Sequence, residues 1–278
     1  MGKIKLLKNK IVSFIAPELI QLYKRKTKSN IKTKYHLLDK FPRYSRTKVD
    51  LFDKEIIIPD SASFLFMYKE IFDENIYQFK TSNPAPYIID GGANIGLSSI
   101  YLKLLYPKSK IIAFEPDYNI YTILKKNIDA FNFKGIDLIN KGLWNKEATL
   151  SFKAEGADAG LLTEVDATES VSVLSLKPYL NKKVDFLKLD IEGAETVVLK
   201  DIEENLSIVE RIFVEYHSFV GKTQSINEII DILIKAKFRI YMSIPGNNSL
   251  KSPLMGLGSY NNMDFQLNIF GYKEDLEI

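Results

Sequence analysis

A glycine turn after an apolar segment is the first feature of this chain that could bind a ligand. Its letters, YIIDGGANIGLSS, span residues 87–99 and place Asp90 before Gly91, Gly92 and Gly96. Glycine lets backbone approach a ligand without a Cβ in the way. The spacing is neither the G-x-G-x-x-G fingerprint for a dinucleotide pyrophosphate nor a Walker A loop with its lysine and Ser/Thr. The turn therefore favours a nucleoside ligand that lacks phosphate.

A carboxylate nineteen residues beyond Gly96 supplies the second half of such a site. Glu115 lies in IIAFEPD, at the end of the next apolar segment. In a doubly wound sheet, a carboxylate at the end of the second strand binds both hydroxyls of a ribose. This arrangement suits the adenosine of either NAD or S-adenosylmethionine.

The motifs around these residues resemble those of the FkbM-type class I methyltransferases. They read IIDGGANIGLSS, IIAFEPD, INKGLWNKEATLSF and FLKLDIEGAETVVL, and PDSASFLFMYKEIFDENIY resembles the segment that leads into the family's core. The resemblance covers roughly residues 50–272 and leaves residues 1–48 and the loop 243–263 unexplained. It implies a Rossmann-like fold, S-adenosylmethionine as cofactor, and O-methylation, often of a sugar hydroxyl in a glycan, glycolipid or natural product.

The resemblance also implies which residues hold the cofactor. The glycine turn would approach the methionine portion, and Asp90 or Asp190 would attract its ammonium group. Gly142 and Leu143 would flank the adenine. Tyr77 would close over the cofactor, unless it is an ordinary core tyrosine. The expected cofactor-binding set is Asp90, Gly91, Gly92, Asn94, Gly96, Glu115, Pro116, Gly142, Leu143, Tyr77 and Asp190.

Methyl transfer to a hydroxyl needs a proton acceptor, for which the sequence offers few candidates. His217 ends the segment IFVEYH, and Glu215 shares its face of a strand. Histidine titrates near neutral pH and carboxylates can orient it. We expect His217, Asp190 or Glu192 to be catalytic, although His217 could be structural and Glu192 could instead compensate a helix N-terminus.

The same side chains could bind a divalent cation. Asp190, Glu192 and Glu215 offer hard oxygen ligands, and His217 offers an imidazole. Displacement at a sulfonium carbon does not demand a metal, so we expect no metal site.

Apolar strands that alternate with helices must position these residues. Such alternation predicts a doubly wound, mostly parallel seven-stranded sheet covered on both faces. A hairpin is predicted at 49–58 and a helix from residue 60 or 61 to about 73. Helices are predicted at 96–105, 118–131, 194–204 and 225–236. Strands are predicted at 87–90, 110–114, 136–140, 149–152, 171–174, 185–189 and 208–216, with an antiparallel C-terminal edge pair at 238–243 and 264–270.

Charge divides the chain into a basic arm and an acidic body. Residues 1–50 contain 14 Lys/Arg and 3 Asp/Glu, a balance of +11, while the remaining 228 residues contain 24 and 32, a balance of −8. We expect a helical arm at 1–48 and a methyltransferase domain at 49–278. The arm either packs as a solvated helix or contacts an anionic membrane or glycolipid. No cysteine is present, which excludes disulfides and thiolate sites.

Three functions remain open at this point. The first is O-methylation of a hydroxylated small molecule or glycan, with no nucleic-acid partner. The second is a nicotinamide-dependent oxidoreductase, and the third is a non-catalytic, ligand-binding member of the fold. Without a membrane span or a convincing secretory signal, we expect the protein in the cytoplasm, with peripheral contact to the inner face of the membrane as an option. The loop 244–263, rich in Gly, Ser and Asn, is the expected acceptor-binding segment.

Overall fold

The computed structural model describes residues 38, 40–154, 160–162, 169–245 and 263–273. Almost all of the predicted basic arm and most of the loop 244–263 lie outside these residues. Among the described residues, no helix is both long and apolar enough to cross a membrane.

Thirteen strands and five α-helices build the described part of the chain. The strands are β1 (Thr47–Leu51), β2 (Lys54–Ile58), β3 (Tyr87–Gly91), β4 (Lys110–Phe114), β5 (Ile136–Ile139), β6 (Gly142–Trp144), β7 (Ala148–Ala154), β8 (Gly160–Leu162), β9 (Glu169–Ser175), β10 (Phe186–Leu189), β11 (Arg211–Phe219), β12 (Phe238–Ser243) and β13 (Met263–Lys273). The helices are α1 (Ser61–Tyr68), α2 (Leu97–Leu105), α3 (Tyr118–Ala130), α4 (Glu195–Ile202) and α5 (Ile226–Lys235).

A seven-stranded sheet organises the fold, as the sequence predicts. Its strand order is β12-β13-β11-β10-β3-β4-β5. The neighbours from β11 to β5 pair in parallel, whereas β13 pairs antiparallel with both β11 and β12. The last two strands are therefore antiparallel to each other, as expected, but β13 is inserted inside the sheet and β12 forms the edge.

Two layers of apolar side chains cover the faces of this sheet. One layer joins β1, β2, α1, α2 and α3, and the other joins α4 and α5 to the opposite face. Asp60 caps α1 by accepting from the N–H of Ser63, and Asp117 caps α3 by accepting from the N–H groups of Asn119 and Ile120. These caps satisfy first-turn donors that have no partner within the helix.

The predicted N-terminal hairpin is present, and besides its apolar contacts it is hydrogen-bonded to a side chain of α3. β1 pairs antiparallel with β2. Asn127 of α3 accepts from the N–H of Ile57 at 2.7 Å and donates to its carbonyl at 2.9 Å. It also donates to the carbonyl of Ile95 in the glycine turn at 2.9 Å. The hairpin is thereby fixed beside the turn that could bind a ligand.

Three local predictions need correction. The helix that starts at Ser61 becomes a π-helix over Lys69–Asp73. The residues after α4 form a 3₁₀ helix, Glu203–Ile208, so β11 begins three residues later than predicted and contains His217 within it. Finally, β6 and β8 were not predicted, because three-residue strands are too short to show a hydrophobic period. They join β7 and β9 in a second sheet of order β6-β9-β7-β8.

Candidate active site

The glycine turn joins β3 to α2 and lies against the end of β10. Gly92 has φ +75°, and a Cβ there would lie 1.7 Å from the carbonyl oxygen of Asp190. Gly96, with φ +94°, precedes α2, and a Cβ there would lie 2.8 Å from Leu124. Contact with backbone requires glycine at position 92, and the left-handed φ favours glycine at position 96, in both cases independently of any ligand.

Glu115 is held rigidly at the end of β4. Its two carboxylate oxygens accept from the N–H groups of Asn94, at 2.9 Å, and Asp117, at 3.0 Å. Burial raises the pKa of Glu115 to about 8, although both hydrogen bonds oppose that shift. Each oxygen keeps a second lone pair that could accept from a ligand hydroxyl.

The residues after β5 lie beside this carboxylate. Leu143 is 2% exposed and packs against Gly91, and Gly142 faces the ring of Pro116. Asn140 donates to the backbone carbonyls of Glu115 and Pro116 at 2.9 and 3.0 Å. The fold thus brings together Gly91, Pro116, Gly142 and Leu143, four residues of the expected cofactor-binding set.

A buried lysine, not predicted from the sequence, links the two aspartates. The Lys188 ammonium lies 3.5 Å from Asp90 and 3.2 Å from Asp190, and it donates to the carbonyl of Gly92 at 2.7 Å. Burial would lower the pKa of Lys188, but the two carboxylates raise it. The only sequence signal for this interaction was the lysine in the apolar strand FLKL. A charged residue inside a buried strand is rarely unpaired, so a carboxylate partner could have been expected.

Asp90 and Asp190 differ in their access to solvent. Asp90 is fully buried and accepts from the hydroxyls of Ser98 and Ser99 at 2.6 and 2.7 Å. The side chain of Asp190 is 25% exposed. Asp90 therefore holds the turn and the lysine in place, whereas Asp190 is accessible to a ligand.

His217 lies on β11 between two glutamates. Its Nδ1 is 3.2 Å from Glu195 Oε1, and its Nε2 is 3.6 Å from Glu192 Oε2. Glu195 Oε1 also accepts from the N–H groups of Ile191 and Gly193, both at 3.1 Å. Burial alone would lower the pKa of His217, but Glu192 and Glu195 raise it well above its ordinary value.

A glutamate and a tyrosine, Glu70 and Tyr77, approach the same region from the π-helix and the segment that follows it. Glu70, on the π-helix, is 7% exposed, and burial together with Asp190 raises its pKa to about 7. Tyr77 is buried with its ring centroid 5.0 Å from that of Phe213, in the manner of a core tyrosine. Burial and the charge of Asp190 raise the pKa of Tyr77. Glu70 was not predicted, because nothing in its local sequence indicates that it faces Asp190.

Among the described residues, acidic side chains outnumber basic ones at the carboxyl edge of the main sheet. Carboxylates come from the ends of β3, β4, β10 and β11 and from the π-helix, whereas the cationic groups beside them in the described part of the chain are Lys188 and the His217 ring. A buried glutamate with free lone pairs next to an acidic surface suits a ligand with a ribose and a positive charge. Asp190, Glu192 and His217 also bring three metal-ligand atoms together.

Comparison with known proteins gives one family and several relatives. The family described as Methyltransferase FkbM domain matches residues 90–240. Methyltransferase sdnD of Sordaria araneosa is 32% identical over 191 residues, covering 54% of this chain and 73% of its own length. Methyltransferase 1 of Beauveria bassiana is 28% identical over 201 residues, covering 60% of this chain and 80% of its own.

A solved structure is similar over much of the chain. The crystal structure of Methyltransferase FkbM from Methylobacillus flagellatus has a TM-score of 0.49 and 14% identity. The similarity covers 72% of this chain, which spans 46% of that one.

Proposed function

Because this chain belongs to the FkbM methyltransferase family, we propose that it transfers a methyl group from S-adenosylmethionine to a hydroxyl of a sugar in a surface glycan, a glycolipid or a natural product. The family match carries the proposal, because residues 90–240 contain both the glycine turn and the acidic edge. The family match also favours methyl transfer over hydride transfer. The glycine spacing, which differs from the dinucleotide fingerprint, already disfavours hydride transfer.

The chemistry of the edge fits the cofactor. S-adenosylmethionine carries a sulfonium, an ammonium group and a ribose diol. Glu115 keeps free lone pairs for the diol, and the partly exposed Asp190 suits the ammonium group. The residues that would hold the cofactor are Gly91, Gly92, Asn94, Gly96, Glu115, Pro116, Gly142, Leu143 and Asp190, while the buried Asp90 and Tyr77 would support them from behind.

The protein's own task is to align an oxygen and accept its proton. When bound, S-adenosylmethionine supplies a methyl group that is electrophilic because it is attached to a sulfonium. His217 is buried between Glu192 and Glu195, and its raised pKa favours the imidazolium at neutral pH. We therefore propose that Asp190 or Glu192, which are partly exposed, accepts the proton of the acceptor hydroxyl. His217 would orient Glu192.

The described ends of the loop 244–263 support a role for it in acceptor binding. β12 ends and β13 begins at the carboxyl edge of the sheet, beside the end of β11. A loop between them starts and ends near the acidic group. Its serines and asparagines suit a ligand rich in hydroxyl groups.

A methyl-transfer screen tests the proposal directly. The purified protein is incubated with methyl-labelled S-adenosylmethionine and a panel of sugar-containing precursors of the host's surface polysaccharides. We expect label on a hydroxyl oxygen of one class of acceptor. Binding of S-adenosylhomocysteine without any transfer would instead indicate a non-catalytic member, and binding of NAD in its place would overturn the proposal.

Glu115→Gln tests the ribose half of the site. At pH 9, where Glu115 is ionised, we expect the substitution to weaken S-adenosylhomocysteine binding by about 10- to 100-fold, because hydrogen bonds to a charged acceptor contribute about 1.5–3 kcal/mol. At pH 6.5 the difference should shrink, since a Glu115 with a pKa of about 8 is then protonated. Calorimetric titration gives both affinities, and Glu55→Gln, on the exposed hairpin, is the matched control.

A further inference from the structure

Three metal-ligand side chains converge where β10 and β11 end. A carboxylate oxygen of Asp190, one of Glu192 and a ring nitrogen of His217 all lie within 4.8 Å of one another. A cation bonded at about 2.0–2.4 Å to three atoms keeps those atoms within about 3–4.8 Å of one another. The donors are therefore already spaced for one ion.

A buried carboxylate beside these donors accepts no hydrogen bond from the described part of the chain. Glu215 is 6% exposed and lies two residues before His217 on the same face of β11. Among the described residues, none donates a hydrogen bond to its carboxylate or forms an ion pair with it. Its electrostatic neighbours are the carboxylates of Asp190, Glu70 and Glu192 and the cationic groups of His217 and Lys188. The carboxylates of this group, including Glu215, outnumber the two cationic groups, which indicates a position for a further positive charge.

The imidazole of His217 is oriented as in metal sites. Glu195 Oε1, which already accepts two backbone N–H groups, faces Nδ1 at 3.2 Å. Nδ1 must therefore carry a proton, and Nε2, 3.6 Å from Glu192 Oε2, is the ring nitrogen that a cation would bind in place of a proton. Metal-binding histidines characteristically donate their other ring N–H to a carboxylate in this way.

Glu192 is held in a strained conformation at the same place. Its φ is +53°, in the left-handed region that disfavours residues other than glycine, and the following Gly193 has φ +94°. Such strain persists only where the surrounding structure enforces it, and it is concentrated at binding and catalytic sites. Here it directs the Glu192 carboxylate toward His217 instead of along the start of α4.

We propose that Asp190, Glu192 and His217 bind a divalent cation of the Mg²⁺ and Mn²⁺ class through two carboxylate oxygens and the imidazole Nε2. Hard oxygen ligands outnumber the single nitrogen, which favours these ions over softer metals. Glu195 orients the ring. This proposal departs from the expectation of a metal-free site.

Three protein ligands leave coordination positions open for an oxygen of water or of an acceptor. A hydroxyl bound to such a cation would be more acidic, and its proton would pass to the carboxylate oxygen of Asp190 or Glu192 that does not bind the cation. That catalytic role rests on the proposed function, whereas cation binding itself does not.

Manganese titration of the whole chain tests the site without cofactor or acceptor. Protein stripped with EDTA and returned to chelator-free buffer is titrated with Mn²⁺, and free Mn²⁺ is followed by electron paramagnetic resonance. We expect one ion bound per chain, and electron spin echo measurements should show coupling to an imidazole nitrogen. Glu192→Gln and Glu195→Gln should each weaken binding by about 10- to 100-fold.

His217→Ala should abolish the nitrogen coupling, while Glu204→Gln, an exposed glutamate after α4, should leave binding unchanged. Circular dichroism and Tm confirm that each variant is folded. The isosteric Glu192→Gln keeps the test decisive if His217→Ala does not fold. Absence of saturable Mn²⁺ binding up to about 1 mM, or binding that survives Glu192→Gln unchanged, would overturn the proposal. A failed methyl-transfer screen would leave the manganese result standing.

Discussion

At the scale of single residues, the carboxylates of the sheet edge are distinguished by their surroundings. Glu115 accepts two backbone hydrogen bonds and Asp90 accepts two serine hydroxyls. For Glu70, burial dominates: it raises the pKa to about 7, and the charge of Asp190 adds to that effect. Glu70 therefore ionises near neutral pH.

We expect Glu70→Gln to stabilise the protein in a pH-dependent manner. Because the pKa of Glu70 is about 7 when folded and near 4.5 when unfolded, folding favours its protonated form. The stability from that neutral form is complete below pH 4.5 and is lost as pH rises through 7. At pH 8 the substitution should raise the free energy of unfolding by about 1–3 kcal/mol, and at pH 5 by clearly less.

Urea unfolding at the two pH values measures this effect. Glu204→Gln, at an exposed position, should change stability by less than about 0.5 kcal/mol at either pH. A gain from Glu70→Gln of the same size at pH 5 and pH 8 would contradict the assigned ionisation.

At the scale of elements, the connection between β3 and α2 is shaped by its contact with β10. Gly92 lies directly against the carbonyl of Asp190, at the point where the two parallel strands end. The same contact brings Asp190 next to the turn and within reach of Lys188. Gly92 was predicted from the sequence to bind a ligand, and the packing of the two strands requires it as well.

Gly92→Ala and Gly221→Ala separate backbone strain from steric overlap. Both glycines have positive φ, +75° and +77°, but a Cβ at Gly221 would meet nothing within 4 Å. Gly221→Ala should cost about 1–2 kcal/mol from the left-handed conformation alone. Gly92→Ala should cost more than about 3 kcal/mol, or prevent folding, because the Cβ would overlap backbone. Urea unfolding compares them, and equal losses would contradict the close approach of Gly92 to the Asp190 carbonyl.

At the scale of the whole molecule, charge is distributed unevenly along the chain. Residues 1–50 have a balance of +11 and the remaining residues a balance of −8. A cluster of Lys/Arg gains about 1 kcal/mol per residue near an anionic membrane surface. We propose that the basic arm brings the acidic catalytic body to such a surface.

We expect the whole chain to bind vesicles that contain anionic lipid at low salt and to be released at high salt. Replacing Lys3, Lys5, Lys8 and Lys10 by Gln should weaken binding at least about tenfold. The matched control replaces four exposed lysines of the body: Lys54, Lys125, Lys126 and Lys134. Vesicle sedimentation measures binding, and an equal loss in both variants would refute a specific role for the arm.

Local patterns in the amino-acid sequence were sufficient to predict the main sheet, its helices and the family. Apolar strands that alternate with amphipathic helices leave few arrangements, and the motifs around Asp90, Glu115 and Asp190 are local in the chain. The same patterns did not predict the π-helix at Glu70, the 3₁₀ helix before β11 or the short strands β6 and β8. These depend on packing, which overrides weak local preferences.

The interactions among the acidic residues, by contrast, depend on contacts between distant parts of the chain. Lys188 joins Asp90 to Asp190, Glu195 orients His217, and Glu70 approaches Asp190 from a segment more than a hundred residues away in sequence. Ionisation depends on burial and on charges a few ångströms away, and neither can be obtained from spacing along the chain. The sequence therefore indicated which chemical groups are present, while the fold determined their charge and their partners.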